Sequence, residues 1–342
     1  MPSYLHWIRQ HVGHEKILMV FASAVIRDDA GRLLWQRRAD FGWWGLPGGI
    51  LELDESLPEC VVREVHEETG LQVRPARVVG VYTSPDFDVT YPNGDQVQQV
   101  TVCFECKMDT GDSSPRSRAE GDWGLGTLAP GARRSGIGGR RVDDETLELG
   151  WFGLDDLPPT APWYAAMAAD VALGKTSFER GRLGTSRSDE PYFRQLRRYI
   201  GAAPFVMPAA AAFVRDDAGC VLLQHRGDTG DWGLPGGGVE LGERIDQTVV
   251  NEVREETGLE VEPLRMVGVY SDHAFWFTYP NGDQVKIASV LFECRVVGGQ
   301  LQADGVESLD VRFFSADALP PLLERHARRV RDGLAGGKEV IF

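Results

Sequence analysis

Three glutamates lie in the sequence at a spacing that could support metal chemistry. Glu64, Glu67 and Glu68 are related as i, i+3 and i+4, which places their side chains on one face of a helix. A capping box beginning at Ser56 predicts the start of that helix, and Gly70 predicts its end. A group of oxygen ligands suits Mg²⁺ or Mn²⁺ rather than zinc. Taken alone, the cluster is equally an ordinary solvated acidic face.

The residues around this cluster favour the metal site. A glycine-rich loop, GLPGG at 45–49, precedes the helix and lets backbone carbonyls approach an ion. Glu55 lies where it can return toward the helix. Arg63 adjoins the glutamates and can orient a carboxylate through paired hydrogen bonds.

The chain contains this segment twice. WGLPGG at 44–49 recurs at 232–237, an offset of 188 that persists without a gap from residue 4 to 106. Further on, ETLELGWF at 145–152 corresponds to ESLDVRFF at 307–314, an offset of 162, so the first copy carries about 26 more residues. The second copy repeats the acidic helix with Glu252, Glu255 and Glu256.

The repeat predicts two domains, at 1–176 and 190–342, with a linker at 177–189. In each, strand patterns interleaved with a few helices predict an α/β fold with a mixed sheet. The extra residues of the first copy lie at about 109–141 and are rich in Gly, Ser, Pro and Arg. Disorder and a lid over the site are the two interpretations of this insertion.

The segment at 49–71 resembles the Nudix box, G-x5-E-x7-R-E-U-x-E-E-x-G-U, in which U is a bulky aliphatic residue. The matching residues are Gly49, Glu55, Arg63, Glu64, Val65, Glu67, Glu68, Gly70 and Leu71. The second copy, at 237–259, matches throughout except that Asn251 stands in place of the arginine. The resemblance covers nearly the whole chain as two tandem Nudix domains.

This resemblance implies two α/β/α sandwiches, each with a mixed sheet and a loop–helix–loop catalytic motif. It implies hydrolysis of a nucleoside diphosphate linked to another moiety, with Mg²⁺ or Mn²⁺ as cofactor. The implied metal ligands are Glu64, Glu67, Glu68, Glu252, Glu255 and Glu256, together with the carbonyls of Gly48 and Gly236. Glu55 and Glu243 are implied to support these ligands.

The two domains are not expected to be equally active. Asn251 can hydrogen-bond a carboxylate, but it cannot offer two parallel charged bonds as Arg63 does. We therefore predict that the first domain is active and that the second is weaker or supports the first.

The general base and the substrate contacts have several candidates. A box glutamate, or Glu145 and Glu307 in the loops before GWF and RFF, can take the proton from water; a surface loop is the alternative for the last two. Arg38 and Arg226 are candidates to clamp a phosphate, or are surface charges. Trp44 and Trp232 are candidates to stack on a base, or are core residues.

ADP-ribose or a nucleotide sugar is the preferred substrate, because Pro85 loosely resembles a proline of ADP-ribose-cleaving members. Nucleoside triphosphates are the main alternative, followed by dinucleoside and CDP-alcohol compounds. A nucleotide sensor without catalysis is the alternative from another functional class.

Composition and charge limit the kinds of binding partner and the cellular location that we expect. A net charge of −15 opposes binding to a long nucleic acid. The longest apolar runs are about half of a membrane span, and no signal-peptide pattern is visible. Five cysteines do not suggest a disulfide framework. We expect a cytoplasmic protein with a small nucleotide substrate, whose fused copies form an internal pseudo-dimer; a homodimer is the alternative.

Overall fold

The structure is a computed structural model that describes residues 3–109, 145–174, 176–178 and 190–342. The elements of the first domain are α1 (Tyr4–Val12), β1 (Ile17–Ile26), β2 (Leu33–Arg38), β3 (Trp44–Gly45), β4 (Gly48–Ile50), α2 (Leu57–Thr69), β5 (Val73–Tyr82), β6 (Val89–Thr90), β7 (Gln96–Met108), β8 (Thr146–Phe152), α3 (Pro162–Leu173) and β9 (Ser177–Phe178).

The second domain repeats this order. Its elements are α4 (Tyr192–Ile200), β10 (Phe205–Val214), β11 (Val221–Arg226), β12 (Trp232–Gly233), β13 (Gly236–Gly238), α5 (Ile245–Thr257), β14 (Leu259–Tyr270), β15 (Trp276–Thr278), β16 (Gln284–Gly299), β17 (Ser308–Phe314) and α6 (Glu324–Ala335). Short 3₁₀ turns at Pro85–Phe87 and His273–Phe275 precede β6 and β15.

Each domain contains a larger mixed sheet and a smaller antiparallel one. The larger sheet of the first domain has the order β4-β1-β7-β5-β9, with β6 beside β7. Strands β1 and β7 are parallel, as are β5 and β9, whereas β4 runs antiparallel to β1 and β5 antiparallel to β7. The smaller sheet is β3-β2-β8. The second domain has the orders β13-β10-β16-β14 and β12-β11-β17, which correspond strand for strand apart from β9.

Helices cover both faces of the larger sheet. Neighbouring residues of a strand point to opposite faces, and Ala24 of β1 packs in the same core as Val61 and Val65 of α2. Val25 instead packs with Met167 of α3 on the other face. The α/β/α layering expected from the sequence is therefore confirmed.

The two domains share a hydrophobic core and are related by a pseudo-twofold axis. One cluster joins α1, β1 and α2 to α4, β10 and α5. The hydroxyl of Tyr4 accepts a hydrogen bond from the backbone N–H of Val206 at 3.1 Å, and that of Tyr192 accepts one from Leu18 at 3.0 Å. Each contact maps onto the other with the offset of the repeat, as an isologous interface requires.

The predicted linker and insertion can be compared with the structure only at their first residues. Ser177–Phe178, the start of the predicted linker, pairs with β5 and belongs to the sheet of the first domain. The rest of the linker lies outside the described residues, as does the insertion apart from Asp109. Among the described helices, none is long and apolar enough to span a membrane.

Candidate active site

A pair of glycines brings the loop of each domain against its own sheet and helix. Gly48 has φ +145°, and a Cβ there would lie 2.2 Å from the carbonyl oxygen of Ala22. At Gly49 a Cβ would lie 2.3 Å from the carboxylate of Glu64. Gly237 makes the same close approach to Glu252. Only glycine leaves room for these carboxylates to lie against the loop backbone.

The acidic helix has the ends that the sequence predicts. Ser56 caps α2 and accepts from the N–H of Glu59, whose carboxylate accepts from the N–H of Ser56 at 2.7 Å. Gly70 ends the helix in the left-handed conformation, with φ +73°. The capping box and the C-terminal glycine therefore determine where α2 begins and ends.

Glu68 is the anchored carboxylate of the first domain. It is buried and accepts from the N–H of Gly48 and from Nε2 of Gln36, each at 2.7 Å. The hydroxyl of Thr146 in turn donates to Gln36 at 2.6 Å. Burial raises the pKa of Glu68 to about 8, although both hydrogen bonds oppose the rise.

Arg63 links the other box carboxylates. Its guanidinium binds Glu55 through two hydrogen bonds of 2.8 and 2.7 Å. Nη1 also donates to Glu64 at 2.9 Å and to Glu67 at 3.0 Å. Glu64 is nearly buried, whereas the side chain of Glu67 is 51% exposed. The structure thus directs Glu64 and Glu68 inward and places Glu67 at the rim.

Glu64 lies among other negative charges. Burial raises the pKa of its carboxyl to about 7, Arg63 opposes the rise, and Glu67 and Glu145 add to it. Glu145 is held in the turn before β8, where its carbonyl accepts from Ala39 at 2.8 Å. The predicted general-base candidate of the first domain therefore acts on the electrostatics of the box.

In the second domain, Glu252, Glu256 and Glu307 form a compact carboxylate group. One oxygen from each lies within 4.8 Å of the others, the only such group of three found in the part of the chain that the structure describes. Glu256 is buried and accepts from the N–H of Gly236 at 2.7 Å. Glu255 is not in this group, and its side chain is 47% exposed beside Arg254.

These residues fit a divalent cation. Three carboxylate oxygens at this separation are the hard donors that Mg²⁺ and Mn²⁺ prefer. Burial raises the pKa of Glu256, and the neighbouring Glu252 raises it further. A bound cation would offset this crowding of negative charge. Glu252, Glu256 and Glu307 would hold it in the second domain, and Glu64 and Glu68 in the first.

Comparison with known proteins agrees with this geometry. A family model of the NUDIX domain matches residues 18–171 and 206–334. The protein belongs to the Nudix family. Its members include pyrophosphatases that act on phosphorus-containing anhydrides, so the predicted hydrolase class is confirmed.

Individual relatives cover one domain at a time. The chain is 44% identical over 90 residues to a MutT-like protein of Streptomyces ambofaciens, covering 26% of this chain and about half, 51%, of that relative. It is 32% identical over 144 residues to an ADP-ribose pyrophosphatase of Methanocaldococcus jannaschii, covering 41% of this chain and 79% of the relative. The structure of an ADP-ribose pyrophosphatase from Streptococcus suis matches 40% of this chain and 98% of its own, with 30% identity and a TM-score of 0.34.

The second Nudix box replaces a charged support with neutral ones. Asn251 donates one hydrogen bond of 2.7 Å to Glu243, and the hydroxyl of Thr248 donates another of 3.0 Å. Thr248 corresponds to Cys60 of the first Nudix box. These two side-chain donors to Glu243 carry no charge, whereas both side-chain hydrogen bonds to Glu55 come from the guanidinium of Arg63.

Four predicted substrate contacts have partners within their own domains. Arg38 binds Asp40 through bonds of 3.0 and 2.7 Å, and Arg226 binds Asp228 in the same way. Trp44 packs edge-on against Phe152 with ring centroids 4.9 Å apart, and Trp232 packs likewise against Phe314 at 4.8 Å. Their roles toward substrate remain predictions.

Beside Arg38, the first Nudix domain has a wall of aromatic side chains. Phe41 stacks on Trp43 with ring centroids 4.5 Å apart and lies 5.3 Å from Tyr91, and Trp163 meets Trp43 edge-on at 6.1 Å. Trp43 is half-buried. We call this group, Phe41, Trp43, Tyr91 and Trp163, the aromatic wall.

The second Nudix domain has a cation at one of the corresponding positions and another cation one turn further along the same helix, α6. Arg325 takes the place of Trp163 and lies over the ring of Phe277, 4.1 Å from its centroid. Arg329 is buried and contacts Ser289 and His326, each at 3.2 Å. Burial lowers the pKa of both arginines, and a neighbouring cation adds to each shift: Arg226 lowers the pKa of Arg325, and Arg325 lowers that of Arg329.

The sequence interpretation missed several residues of the site. Gln36 and Thr146 carry no motif, yet they fix Glu68. A signal was present, because glutamine recurs at 224 and a hydroxyl recurs at Ser308. A polar residue repeated at the same place in an apolar strand is the pattern that would have identified them.

Proposed function

We propose that this protein is a Mg²⁺-dependent Nudix pyrophosphohydrolase that cleaves a nucleoside diphosphate linked to another moiety, with ADP-ribose or a nucleotide sugar as substrate. The observation that carries the proposal is the pair of carboxylates at i and i+4 in each box, of which the second, Glu68 or Glu256, is buried and anchored by the loop N–H. The substrate class is supported by the ADP-ribose pyrophosphatase of Methanocaldococcus jannaschii, which is 32% identical over 144 residues.

The residues of the first domain have separate tasks. The N–H of Gly48 and the amide of Gln36 hold Glu68, while Arg63 holds Glu64 and Glu55 in fixed relation. Bound Mg²⁺ supplies charge neutralisation of the diphosphate and lowers the pKa of its water.

In the reaction, water adds to one phosphorus and the bridging P–O bond breaks. The products are two phosphate monoesters, AMP and ribose 5-phosphate in the case of ADP-ribose. Glu145 in the first domain is the candidate base that accepts the proton of the attacking water, and a box glutamate is the alternative. In the second domain Glu307 is a candidate both for this role and for a metal ligand.

The first domain is proposed to carry most of the turnover, because Arg63 gives Glu55 two charged hydrogen bonds that Asn251 cannot provide. We also propose that the chain works as an internal pseudo-dimer in a reducing cytoplasm. The shared core supports the first point, and the free cysteines of the described residues are compatible with the second.

A substrate panel tests the proposal. Purified full-length protein with millimolar Mg²⁺ is incubated with ADP-ribose, UDP-glucose, nucleoside triphosphates, dinucleoside polyphosphates and CDP-choline, and phosphate is measured after phosphatase coupling. Release of AMP from ADP-ribose at the highest kcat/KM is the expected result. A higher kcat/KM for a nucleoside triphosphate would make triphosphates, rather than ADP-ribose or nucleotide sugars, the substrate class. Tight binding of a nucleotide without turnover of any compound would favour a sensor.

A further inference from the structure

We infer that each domain holds the catalytic loop of the other domain in place, through one buried side chain on its central strand. Lys286 of the second domain holds the first Nudix loop, and Gln98 of the first domain holds the second. The two residues occupy the same position of the repeat. The inference rests on the proposed function, because these loops carry Glu55 and Glu243.

Lys286 lies on β16 and is only 1% exposed. Its ammonium donates to the backbone carbonyl of Glu52 at 2.9 Å and to that of Glu55. Glu55 then accepts both hydrogen bonds of Arg63, which in turn binds Glu64. Three successive contacts therefore connect a side chain of the second domain to Glu64, a metal-ligand candidate of the first.

Gln98 lies on β7 and is fully buried. Its Nε2 donates to the carbonyl of Glu243 at 2.8 Å, and its Oε1 accepts from the N–H of Gly242 at 2.7 Å. Both ends of the amide are used, and both contacts cross from the first domain to the second loop.

Each loop backbone is matched to the side chain that reaches it. A lysine only donates, so the first loop presents two carbonyls. A glutamine donates and accepts, so the second loop presents one carbonyl and one N–H. Gly242 has φ +86° at the third position of a turn closed by the N–H of Glu243 on the carbonyl of Glu240 at 3.0 Å, as in a type II turn. The first loop has Asp54 there, and no described non-glycine residue has a positive φ.

A second pair of contacts supports the same arrangement. The hydroxyl of Ser271 in the second domain accepts from the N–H of Leu57, the first residue of α2, at 2.8 Å. The hydroxyl of Thr83 in the first domain accepts from Ile245, the first residue of α5, at 2.9 Å. Helix N-termini need acceptors for such N–H groups. Each catalytic helix thus receives an acceptor for its first N–H from a hydroxyl of the opposite domain.

The test measures loop opening and turnover in the full-length chain. Lys286→Met removes both donated hydrogen bonds while keeping most of the side-chain volume. Hydrogen–deuterium exchange of the 51–57 segment is expected to accelerate by about 10-fold or more, while the 239–245 segment stays unchanged, because only one loop loses its partner. Gln98→Leu is expected to give the opposite pattern. Lys107→Gln, at an exposed lysine on β7, removes the same charge as a control and is expected to change neither segment.

Turnover is read from the first domain alone by placing each variant in a Glu256→Gln background. Lys286→Met is expected to lower kcat by about 10- to 100-fold with KM within about twofold, since a small misplacement of catalytic groups costs this much. Lys286→Gln is expected to lower kcat as well. Lys286→Gln with Asp54→Gly is expected to recover kcat, because the pair recreates the match of the second loop.

The outcomes separate the inference from the proposed function. Unchanged exchange at 51–57, or equal acceleration of both loops, would overturn the cross-domain support. Failure of Asp54→Gly to recover kcat would overturn the matching of loop and side chain. If Lys286→Met does not fold, the exchange comparison is made with Lys286→Gln, whose unchanged 51–57 segment would have the same meaning. A wild-type protein inactive on every diphosphate would defeat the proposed function, and the exchange result would still decide the inference.

Discussion

The two catalytic loops come from one repeated segment, yet chemically different groups hold them. In the first domain, Arg63 binds the loop glutamate and Lys286 binds the loop carbonyls, so both supports are charged. In the second, Asn251 and Gln98 do the same work with neutral amides. The comparison teaches that the number of matched donors and acceptors keeps such a loop folded. The charge of these supporting groups is a separate property, and we expect the charged supports of the first domain to give the higher turnover.

The side chains beside the two sites also differ in charge. The first domain has the aromatic wall, whereas the second has Arg325 and Arg329 on the corresponding helix. An aromatic wall suits the flat face of a base, and a cationic wall suits phosphate. The two domains are therefore expected to differ in ligand preference as well as in rate.

The largest expected effect comes from removing the anchored carboxylate of the first domain, and the same change in the second domain is its matched comparison. Glu68→Gln is expected to lower kcat/KM for ADP-ribose on the order of 10²-fold or more, because a metal centre contributes several kcal/mol to the transition state. Glu256→Gln is expected to lower the total rate by less than about twofold. Steady-state kinetics check this, with circular dichroism to confirm folding. The reverse ranking would assign turnover to the second domain.

Exchanging the loop supports is expected to have the next largest effect. Arg63→Asn replaces the two charged hydrogen bonds to Glu55 with one neutral hydrogen bond, while the N–H of Glu52 still donates to it. We expect kcat to fall by about 10- to 100-fold, as for other groups that orient ligands. Cys60→Thr added to Arg63→Asn recreates the pair found in the second domain and is expected to recover part of the loss. Kinetics in the Glu256→Gln background measure both. No recovery would mean that Thr248 does not compensate for Asn251.

A substitution in the aromatic wall is expected to have a smaller effect, which is measured as a change in KM. Trp43→Leu is expected to raise KM for ADP-ribose by about 10-fold, since stacking on a base is worth roughly 1–3 kcal/mol. Trp44→Leu is the matched control, because Trp44 packs on Phe152 and its loss is expected to lower stability rather than affinity. Substrate titrations and thermal unfolding of both variants separate the two roles. Equal KM values for the two variants would remove the wall from the substrate site.

The smallest effect is expected at the symmetric interface between the two domains, and it concerns stability. Tyr4→Phe and Tyr192→Phe each remove one buried acceptor at the domain interface, and each is expected to lower the free energy of unfolding by about 1–3 kcal/mol. The two losses are expected to be equal within experimental error, and urea unfolding is expected to remain a single transition. Two separate transitions in the wild-type protein would show that the shared core does not couple the domains.

Local sequence rules were sufficient for the elements that carry the box. The capping box at Ser56 and the glycine at 70 predicted the bounds of α2, and the i, i+4 spacing predicted that Glu64 and Glu68 share a face. The same spacing did not show that Glu67 lies at the rim, since that depends on how α2 rolls against the sheet. Arg38 likewise has a partner two residues away, Asp40, that a search for phosphate contacts overlooked.

By itself, the sequence determined the duplication, the family and the bounds of α2, because these depend on residue type and short spacing. Only the tertiary structure decided which residues fix the box carboxylates. Gln36 and Thr146 reach Glu68 from separate strands, and Lys286 reaches the first loop across 231 residues of sequence. Such contacts are made by the packing of the shared core, which brings together positions that no local pattern relates.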